Sequence, residues 1–296
     1  MELISHPSLA TLHPTQEHPE NGARISALEA ALRPRTVERR ADENTLERCH
    51  SWEHVERLRA VTSPAWFDPD TPASETTWEA ALLAAGLALE AVDRGDFALV
   101  RPPGHHATAD RAMGFCLVNN VAVATRYAQA ELGLERIAIV DWDAHHGNGT
   151  QDIFWDDPSV LYVSLHQWPF YPGSGGPEEQ TETTLNIPLP GGAGDAEFLD
   201  SFRIAVEPKL RRFAPDLLIV SAGFDSHETD PLADLTVTDR GFAELARRCA
   251  ALAPRIAAVL EGGYNLATLP HLVDVTLAGF QAEREAAGPA RPAADR

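Results

Sequence analysis

Five short runs of apolar residues, separated by segments long enough to form helices, constrain this chain more than any other feature of its sequence. Each run is uniformly apolar and carries β-branched residues, whereas a strand with one exposed face would alternate apolar and polar residues. The runs occupy residues 97–100, 137–140, 160–163, 217–220 and 256–260. This pattern predicts an α/β fold, with a mainly parallel sheet covered by helices on both faces.

The segments between the runs predict helices. From Trp78 to Val92 the apolar residues recur at the spacing of one helix face. Further helix-length segments lie at 119–131, 197–212, 239–253 and 266–280. The region 166–195 is rich in Pro and Gly and is predicted to form a long loop.

The sequence predicts a single domain. It contains neither an internal repeat nor a composition typical of a linker. We therefore expect one three-layer domain over residues 1–280. Residues 281–296 are rich in Glu, Ala, Pro and Arg, and we expect them to form a flexible C-terminal tail.

The net charge and the cysteine count narrow the possible partners and compartment. With 24 Lys and Arg against 44 Asp and Glu, the formal net charge is −20, which is the wrong sign for binding phosphate backbones. Cationic partners are favoured and nucleic acid is not. The 3 cysteines are too few for a disulfide framework. No apolar segment suggests a signal peptide or a membrane span, so we expect a cytoplasmic protein without membrane association.

Polar groups capable of catalysis or metal binding follow four of the five apolar runs. The sequences after the runs are RPPGHH at 101–106, DWDAHH at 141–146, SAGFD at 221–225 and EGGY at 261–264. In open parallel sheets, ligands bind beyond the carboxyl ends of the strands. We therefore expect these four segments to converge on one crevice.

Three residues in these segments form a candidate metal site. Asp143 and His145 are alternate residues, so on an extended segment their side chains point to the same side. Asp225 follows another strand and can supply a third ligand. Three Asp and His ligands leave one coordination position open, which is typical of catalytic zinc. Such an ion activates water and polarises a carbonyl group.

Other polar residues are candidates for proton transfer. Imidazole titrates near neutral pH, which suits His105 and His106 for this role. Each histidine needs a partner that fixes its tautomer, and Asp141 and Asn148 are available. Tyr264 follows two glycines, which allow close backbone approach, and its hydroxyl could stabilise a developing oxyanion.

Taken together, these motifs resemble those of a known enzyme family. They are RPPGHHA at 101–107, GFC at 114–116, DWDAHHGNGTQ at 141–151, AGFDSHETDPL at 222–232 and EGGYN at 261–265. The chain resembles the zinc-dependent histone deacetylase and acetylpolyamine amidohydrolase family, in its class II-like, bacterial-type branch. The resemblance extends from residue 5 to about residue 280. It implies an arginase-like α/β fold.

The resemblance also implies a role for each catalytic candidate. His106 would be the general base and acid, with His105 as its electrostatic companion, and Tyr264 would polarise the amide carbonyl. Asp141 would orient His105, and Asn148 would orient His106. Class II members share Asn148 with this chain, whereas class I members have Asp at this position. We therefore expect His106 to be less basic than in class I.

Two metal ions are implied by the same resemblance. The catalytic zinc would be bound by Asp143, His145 and Asp225. A structural potassium would lie among Asp141, Asp143, His145, Ser164 and the carbonyl group of Leu165.

The substrate tunnel of the family maps onto residues scattered along the chain. Its two aromatic walls would be Phe115 and Tyr171, with Gly114 beside them. Tyr171 replaces the more usual Phe, and its hydroxyl could accept a hydrogen bond or face solvent. Leu232 occupies the position of a Glu that selects polyamines, so the sequence favours acyl-lysine over acetylpolyamine. Arg24 would line the inner pocket that receives acetate.

The remaining histidines and one cysteine are expected to be structural. We expect surface or loop positions for His6, His13, His18, His50, His54 and His271. His146, His166 and His227 lie beside the motifs without an evident role. Cys116 is expected to be a small buried hydrophobic residue.

Several functions are compatible with these observations. The leading hypothesis is zinc-dependent hydrolysis of an acylated primary amine, with acetyl-lysine in a peptide or protein as the favoured substrate and acetylpolyamine as the alternative. An arginase-type ureohydrolase shares the fold, but the GHH and GGY segments argue against it. An inactive acyl-lysine binding protein would require a damaged site, whereas every expected ligand is present. A homo-oligomer is compatible with the sequence.

Overall fold

A computed structural model describes residues 1–15 and 17–287. The strands are β1 Leu3–Ser5, β2 Arg35–Thr36, β3 Ala65–Trp66, β4 Pro72–Ala73, β5 Phe97–Ala98, β6 Ile137–Asp141, β7 Val160–Gln167, β8 Thr184–Leu189, β9 Leu217–Ala222 and β10 Ile256–Leu260. The α-helices are α1 Ala23–Leu32, α2 Glu43–Leu46, α3 Trp52–Arg59, α4 Thr77–Arg94, α5 Asn120–Leu132, α6 Asn148–Phe154, α7 Asp195–Ser201, α8 Glu207–Phe213, α9 Asp239–Ala250 and α10 Leu269–Ala287.

Eight of the strands in the described part of the chain form one parallel sheet, in the order β2-β1-β5-β10-β9-β6-β7-β8. Every residue of β6, β7, β9 and β10 is buried. Burial on both faces explains why the apolar runs within these strands are uniform rather than alternating. The predicted α/β fold with a mainly parallel sheet is confirmed. β3 and β4 form a separate antiparallel hairpin.

Helices cover the sheet and have ordinary sequence signals at their ends. α4 packs against α5 and β10, whereas α10 packs against α9 and α1. α5 begins after Asn119, whose side chain accepts a hydrogen bond from the backbone N–H of Ala122 at 2.9 Å. It ends at Gly133, which adopts the left-handed conformation with φ of 65°.

The prediction of one long loop over residues 166–195 is wrong in part. β7 continues to Gln167, and β8 lies within the region. β8 is the edge strand and pairs only with β7, and three of its six residues are partly exposed. Its sequence, TLNIPL, contains Asn186 and Pro188 and therefore lacks the uniform apolar character of the central strands.

Two further differences concern helices. The helix predicted at 197–212 is interrupted by a π-helical turn over Phe202–Val206, between α7 and α8. α10 continues to Ala287, past the predicted start of the tail at residue 281. Residues 288–296 of that tail lie outside the described residues, so the domain boundary stays a prediction. None of the helices in the described residues is long and apolar enough to cross a membrane.

Candidate active site

The four strands that precede the polar motifs, β5, β10, β9 and β6, are consecutive neighbours in the sheet. Because they are parallel, their carboxyl ends lie at the same edge. The predicted convergence is therefore present in the structure. It brings together residues far apart in sequence, such as Gly104 and Glu261, which are 157 positions apart.

Asp143, His145 and Asp225 form a compact group at this edge. Nδ1 of His145 lies 3.2 Å from Oδ1 of Asp143 and 2.9 Å from Oδ2 of Asp225. The other oxygen of each carboxylate accepts a backbone N–H: Gly262 donates to Asp143 and Ala144 donates to Asp225, both at 2.8 Å. Each aspartate is thus oriented by the backbone and presents its second oxygen toward the same ring nitrogen.

This group fits a metal ion. Its ligand atoms all lie within 4.8 Å of one another. Burial, together with the neighbouring carboxylate of Asp143, raises the pKa of Asp225 to about 7. Although burial opposes a charge on His145, hydrogen bonds to Asp143 and Asp225 raise its pKa to about 10. Two buried carboxylates that draw positive charge toward one point, with an imidazole between them, are the donor set of a divalent cation site.

Glycines keep the space around the group clear. A Cβ atom on Gly223 would overlap the side chain of Asp143, and one on Gly262 would overlap the carboxylates of both Asp143 and Asp225. Any larger residue at either position would displace the carboxylates from their present orientation. The glycines of the AGFD and EGGY motifs therefore have a steric function.

A second cluster of possible ligands, His105, Cys116 and Glu261, lies nearby among the described residues. The carboxylate of Glu261 in this cluster is already engaged. Glu261 accepts N–H groups of Gly104 at 2.6 Å and His105 at 3.1 Å, and it also accepts the hydroxyl of Ser221 at 3.0 Å. Glu261 therefore fixes the backbone of the GHH segment, a role that the sequence analysis missed.

His105 lies in an acidic environment. Its Nδ1 is 3.0 Å from Oδ2 of Asp141, which also accepts the Tyr162 hydroxyl at 3.3 Å. Its Nε2 is 3.8 Å from Oδ1 of Asp143. Burial disfavours a charged ring, but the carboxylates of Asp143 and Asp141 raise the pKa of His105 well above its usual value. These two carboxylates thus favour the positively charged form of His105.

His106 has the opposite environment. Its Nδ1 lies 2.8 Å from Oδ1 of Asn148, and the amide nitrogen of Asn148 faces the His106 carbonyl at 3.4 Å. With this amide orientation Nδ1 carries the proton, so Nε2 has a free lone pair. Burial and the neighbouring rings of His105 and His145 hold the pKa of His106 well below its usual value. His106 is therefore neutral and can accept a proton.

Tyr264 is held from two sides. Its backbone N–H donates to Oδ2 of Asp230 at 2.6 Å, and its ring lies 5.9 Å from that of Phe115. Arg24 donates to the carbonyl oxygen of Gly263 at 2.8 Å. Burial raises the pKa of the Tyr264 hydroxyl well above its usual value, despite the cation of Arg24. The hydroxyl is therefore protonated and can donate a hydrogen bond.

The histone deacetylase domain family matches residues 18–280 of this chain. The chain belongs to the histone deacetylase family. A probable deacetylase of Archaeoglobus fulgidus is 42% identical over 260 residues, which cover 80% of this chain and 72% of the relative. A histone deacetylase-like amidohydrolase of Pseudomonas aeruginosa is 39% identical over 267 residues, which cover 83% and 70%.

A solved structure agrees with this assignment. The crystal structure of the HDA15 HD domain has a TM-score of 0.89 and 36% sequence identity, and the match covers 97% of this chain and 92% of that one. The family resemblance deduced from the sequence motifs is thereby confirmed. Membership of the histone deacetylase family and these relatives support hydrolase activity of the deacetylase and amidohydrolase type.

In this histone deacetylase family member, the predicted tunnel residues Gly114 and Phe115 form a strained turn. Gly114 has φ of 56° and Phe115 has φ of 72°, a value that a residue with a side chain rarely adopts. The β3–β4 hairpin holds the turn: Asp68 accepts the N–H of Gly114 and Thr71 accepts that of Phe115, both at 3.1 Å. The sequence analysis missed Asp68 and Thr71 because they lie outside the motifs.

Tyr171 faces the same turn from the other side. Its ring lies 5.2 Å from that of His106 and 6.2 Å from that of His145. A Cβ atom on Gly114 would lie 2.8 Å from the Tyr171 hydroxyl, so this hydroxyl points toward Gly114 although the residue is 40% exposed. Leu232 is partly buried on the loop of Asp230, whose Oδ1 accepts its N–H at 3.0 Å.

The residues predicted to bind potassium include Asp143 and His145 of the candidate metal site, together with the buried residues Asp141, Ser164 and Leu165. Asp141 on β6 is the register partner of Ser164 on β7, and both are fully buried with Leu165. Oδ1 of Asp141 accepts the N–H of Asp143 at 3.1 Å. The structure thus places Asp141 and Ser164 on adjacent strands and Asp141 in contact with the backbone of Asp143.

Surface or loop positions were expected for the remaining histidines, and this expectation is wrong for His54, which is buried within α3. His6, His13 and His50 do lie in loops, although their side chains are buried. His18 is partly buried, with its ring 4.4 Å from that of Phe115, whereas His271 is exposed as expected. Both nitrogens of His50 bond to the backbone, which shows how a neutral ring is accommodated in the interior. Cys116 is fully buried, as expected.

Proposed function

We propose that this protein is a zinc-dependent amidohydrolase that removes the acetyl or acyl group from an acylated primary amine. The observation that carries the proposal is the pair of adjacent histidines, His105 bonded to Asp141 and His106 bonded to Asn148, beside the group of Asp143, His145 and Asp225. A zinc ion bound by these three residues would polarise the amide carbonyl and make a water molecule nucleophilic near neutral pH.

The roles of the protein groups follow from their protonation states. Nε2 of neutral His106 accepts the proton of the attacking water and then delivers it to the departing amine, as general base and acid. Asn148 keeps the proton on Nδ1 of His106, and Asp141 stabilises the charge on His105. The hydroxyl of Tyr264 donates a hydrogen bond to the oxyanion that develops on the amide.

The tunnel supports acyl-lysine as the substrate. Phe115 and Tyr171 supply two aromatic surfaces beside Gly114, and a lysine side chain offers a flexible apolar stem to such walls. Leu232 provides no carboxylate for the distal ammonium of a polyamine. Acetylpolyamine is the second candidate, because the chain as a whole carries a formal charge of −20 that attracts cations.

We also propose the buried group around Asp141 and Ser164 as a structural potassium site.

A substrate panel on zinc-loaded protein tests the proposal. Acetyl-lysine peptides, longer acyl-lysine peptides, acetylputrescine and acetylspermidine are compared by kcat/KM. We expect the acetyl-lysine peptides to be hydrolysed best. A preference for acetylputrescine would establish the second candidate instead, and urea release from arginine would indicate a ureohydrolase. Binding of acyl-lysine without any turnover would indicate a binding protein.

A further inference from the structure

A chain of polar side chains supports the loop that carries Tyr171. Oγ of Ser174, in this loop, lies 2.8 Å from Nδ1 of His146. Nε2 of His146 lies 3.1 Å from Oε1 of Gln151, and Nε2 of Gln151 donates to Oε2 of Glu179 at 2.8 Å. His146 is fully buried and Gln151 is 8% exposed. The loop is therefore connected to the protein interior by side-chain hydrogen bonds.

Glu179 also bonds to the backbone of the loop. Its Oε1 accepts the N–H groups of Gly175 at 3.0 Å and Gly176 at 3.3 Å. Nε2 of His166 donates to the Gly175 carbonyl at 2.9 Å. Gly175 has φ of 79°, and a Cβ atom there would lie 2.5 Å from ring atoms of both His146 and His166. Both backbone polar groups of Gly175 are thus satisfied, and a larger residue would not fit.

The contacts of Gln151 determine which group donates and which accepts in each hydrogen bond of this series. Since Nε2 of Gln151 donates to a carboxylate, its Oε1 must accept, and it receives the amide of Asn186 at 2.6 Å. The same oxygen accepts the Nε2–H of His146, so Nδ1 of His146 accepts the Ser174 hydroxyl. Exchanging one acceptor for a donor would therefore break the chain.

Helix α6 connects this series of hydrogen-bonded side chains to the candidate catalytic residues. α6 presents Asn148, the partner of the proposed general base, and one turn later it presents Gln151. In the supported loop, Phe170 stacks on His145 with a centroid distance of 5.2 Å, and Tyr171 forms one side of the tunnel. A displacement of the loop would move the tunnel wall while leaving Asn148 in place.

We propose that Gln151 and Glu179 are positioning residues that hold the Tyr171 wall at the distance required by the acyl chain, an inference that rests on the proposed function. They do not touch the reacting atoms. Their removal should weaken the binding of substrate in the tunnel more than it slows the chemical step.

Exchanging the two side chains between their positions gives a sharp test. Glu179→Gln places an amide where one carboxylate accepted hydrogen bonds from both Gln151 and the glycine N–H groups, so either orientation of the amide loses one contact. We expect KM for an acetyl-lysine peptide to rise roughly tenfold while kcat changes less than about threefold. Adding Gln151→Glu restores an acceptor opposite the new amide, and KM should return to within about twofold of the original value.

Glu178→Gln is the matched control, because it makes the same substitution at an exposed neighbour. Hydrogen exchange of the Gly175 and Gly176 amides provides a readout that does not depend on activity. It should accelerate in Glu179→Gln and recover in the double variant. Should Glu179→Gln fail to fold, Ser174→Ala removes the outermost contact and should raise KM in the same direction.

Unchanged KM and exchange in Glu179→Gln, or a double variant that recovers neither, would overturn the proposal. Changes of kcat and KM in Glu178→Gln as large as those in Glu179→Gln would overturn it too, because the effect would then not be specific to the hydrogen-bonded side chains. If the unsubstituted protein does not hydrolyse acyl-lysine, the proposed function fails. In that case the exchange rates alone decide whether Gln151 and Glu179 position the loop.

Discussion

Arg24 lies with its guanidinium carbon 5.1 Å from the ring centre of Tyr264, and it bonds to the backbone on the N-terminal side of that residue. One buried cation thus orients both the ring and the loop of the candidate oxyanion donor. The family resemblance had suggested Arg24 only for the pocket that receives acetate. Its contacts indicate that it also positions Tyr264.

Removing the hydroxyl of Tyr264 should affect turnover and leave binding nearly unchanged. Tyr264→Phe retains the ring that packs between Arg24 and Phe115, but it loses a donor whose acceptor develops charge only in the transition state. We expect kcat to fall by about 10² to 10³, with KM, zinc content and melting temperature close to those of the original protein. A near-normal kcat in the same sample would remove Tyr264 from the mechanism.

Asp225→Ala should abolish metal binding. This substitution removes one of the three ligands and leaves His145 facing Asp143 alone, so bound zinc should be lost on dialysis and hydrolysis should fall to background. Metal content is measured by mass spectrometry beside an Asp200→Ala control, which alters an exposed carboxylate. Chelation of the original protein should likewise abolish activity, and zinc should restore it. Retention of one tightly bound zinc by Asp225→Ala would contradict the ligand assignment.

Asn148→Asp should shift the acid limb of the pH–rate profile upward. Burial and the neighbouring histidines lower the pKa of His106, whereas a carboxylate 2.8 Å from its Nδ1 would stabilise the charged ring. The general base must be neutral, so a higher pKa means that activity is lost at a higher pH as the solution is acidified. We expect a shift of about 1 to 2 pH units in kcat/KM. Asn44→Asp, which adds the same charge at an exposed site on α2, should cause no shift.

Acidification should destabilise the fold through His50. Burial lowers its pKa to about 3, and its Nε2 accepts the N–H of Asn119 at 2.9 Å, so the folded protein keeps the ring neutral. The unfolded chain binds a proton near pH 6.5, and stability is therefore lost as the pH falls from 6.5 toward 3. At pH 5 this residue alone should cost about 2 kcal/mol.

Melting temperatures of the original protein and of His50→Gln, measured from pH 7.5 to pH 5, test this expectation. Glutamine can supply one donor and one acceptor but cannot titrate, so the variant should lose less stability on acidification. His271→Gln serves as the control, because His271 is exposed. Parallel pH curves for the original protein and for His50→Gln would show that His50 does not contribute.

Leu232→Glu should alter substrate preference. A carboxylate at this partly buried position would attract the distal ammonium of an acetylated polyamine. We expect the kcat/KM ratio of acetylspermidine to acetyl-lysine peptide to increase, and Leu266→Glu, at an exposed leucine, should leave it unchanged. An unaltered ratio in Leu232→Glu would argue against position 232 as a determinant.

The central part of the fold could be predicted from the sequence because burial on both faces imposes one uniform apolar pattern. Strands such as Ile256–Leu260 were therefore predicted with their observed bounds. β8 was missed because it is partly exposed and its sequence, TLNIPL, mixes polar and apolar residues. The pair of residues Arg35–Thr36 was missed because two residues carry no periodicity.

For the candidate site, the motifs identified the polar residues at the strand ends but not the groups that hold them. Asp68 and Thr71 support the turn of Gly114 and Phe115, although they precede their partners in the sequence by 46 and 44 positions. Glu179 supports the Tyr171 loop through hydrogen bonds to Gly175 and Gly176, and it accepts a hydrogen bond from Gln151 on another element. Such contacts are set by tertiary packing, so neither spacing nor composition reveals them. The buried state of His54 was missed for the same reason.

The strained turn at Gly114 and Phe115 has a consequence for how this protein can diversify. The groups proposed for chemistry follow four neighbouring strands of the sheet, whereas the proposed wall residue Phe115 is held by the β3–β4 hairpin and Tyr171 lies in the loop before the outermost strand. Insertions or substitutions in those two peripheral segments could therefore reshape the entrance without disturbing the reaction centre. Changes in acyl-chain length preference should be accessible to laboratory evolution confined to these segments.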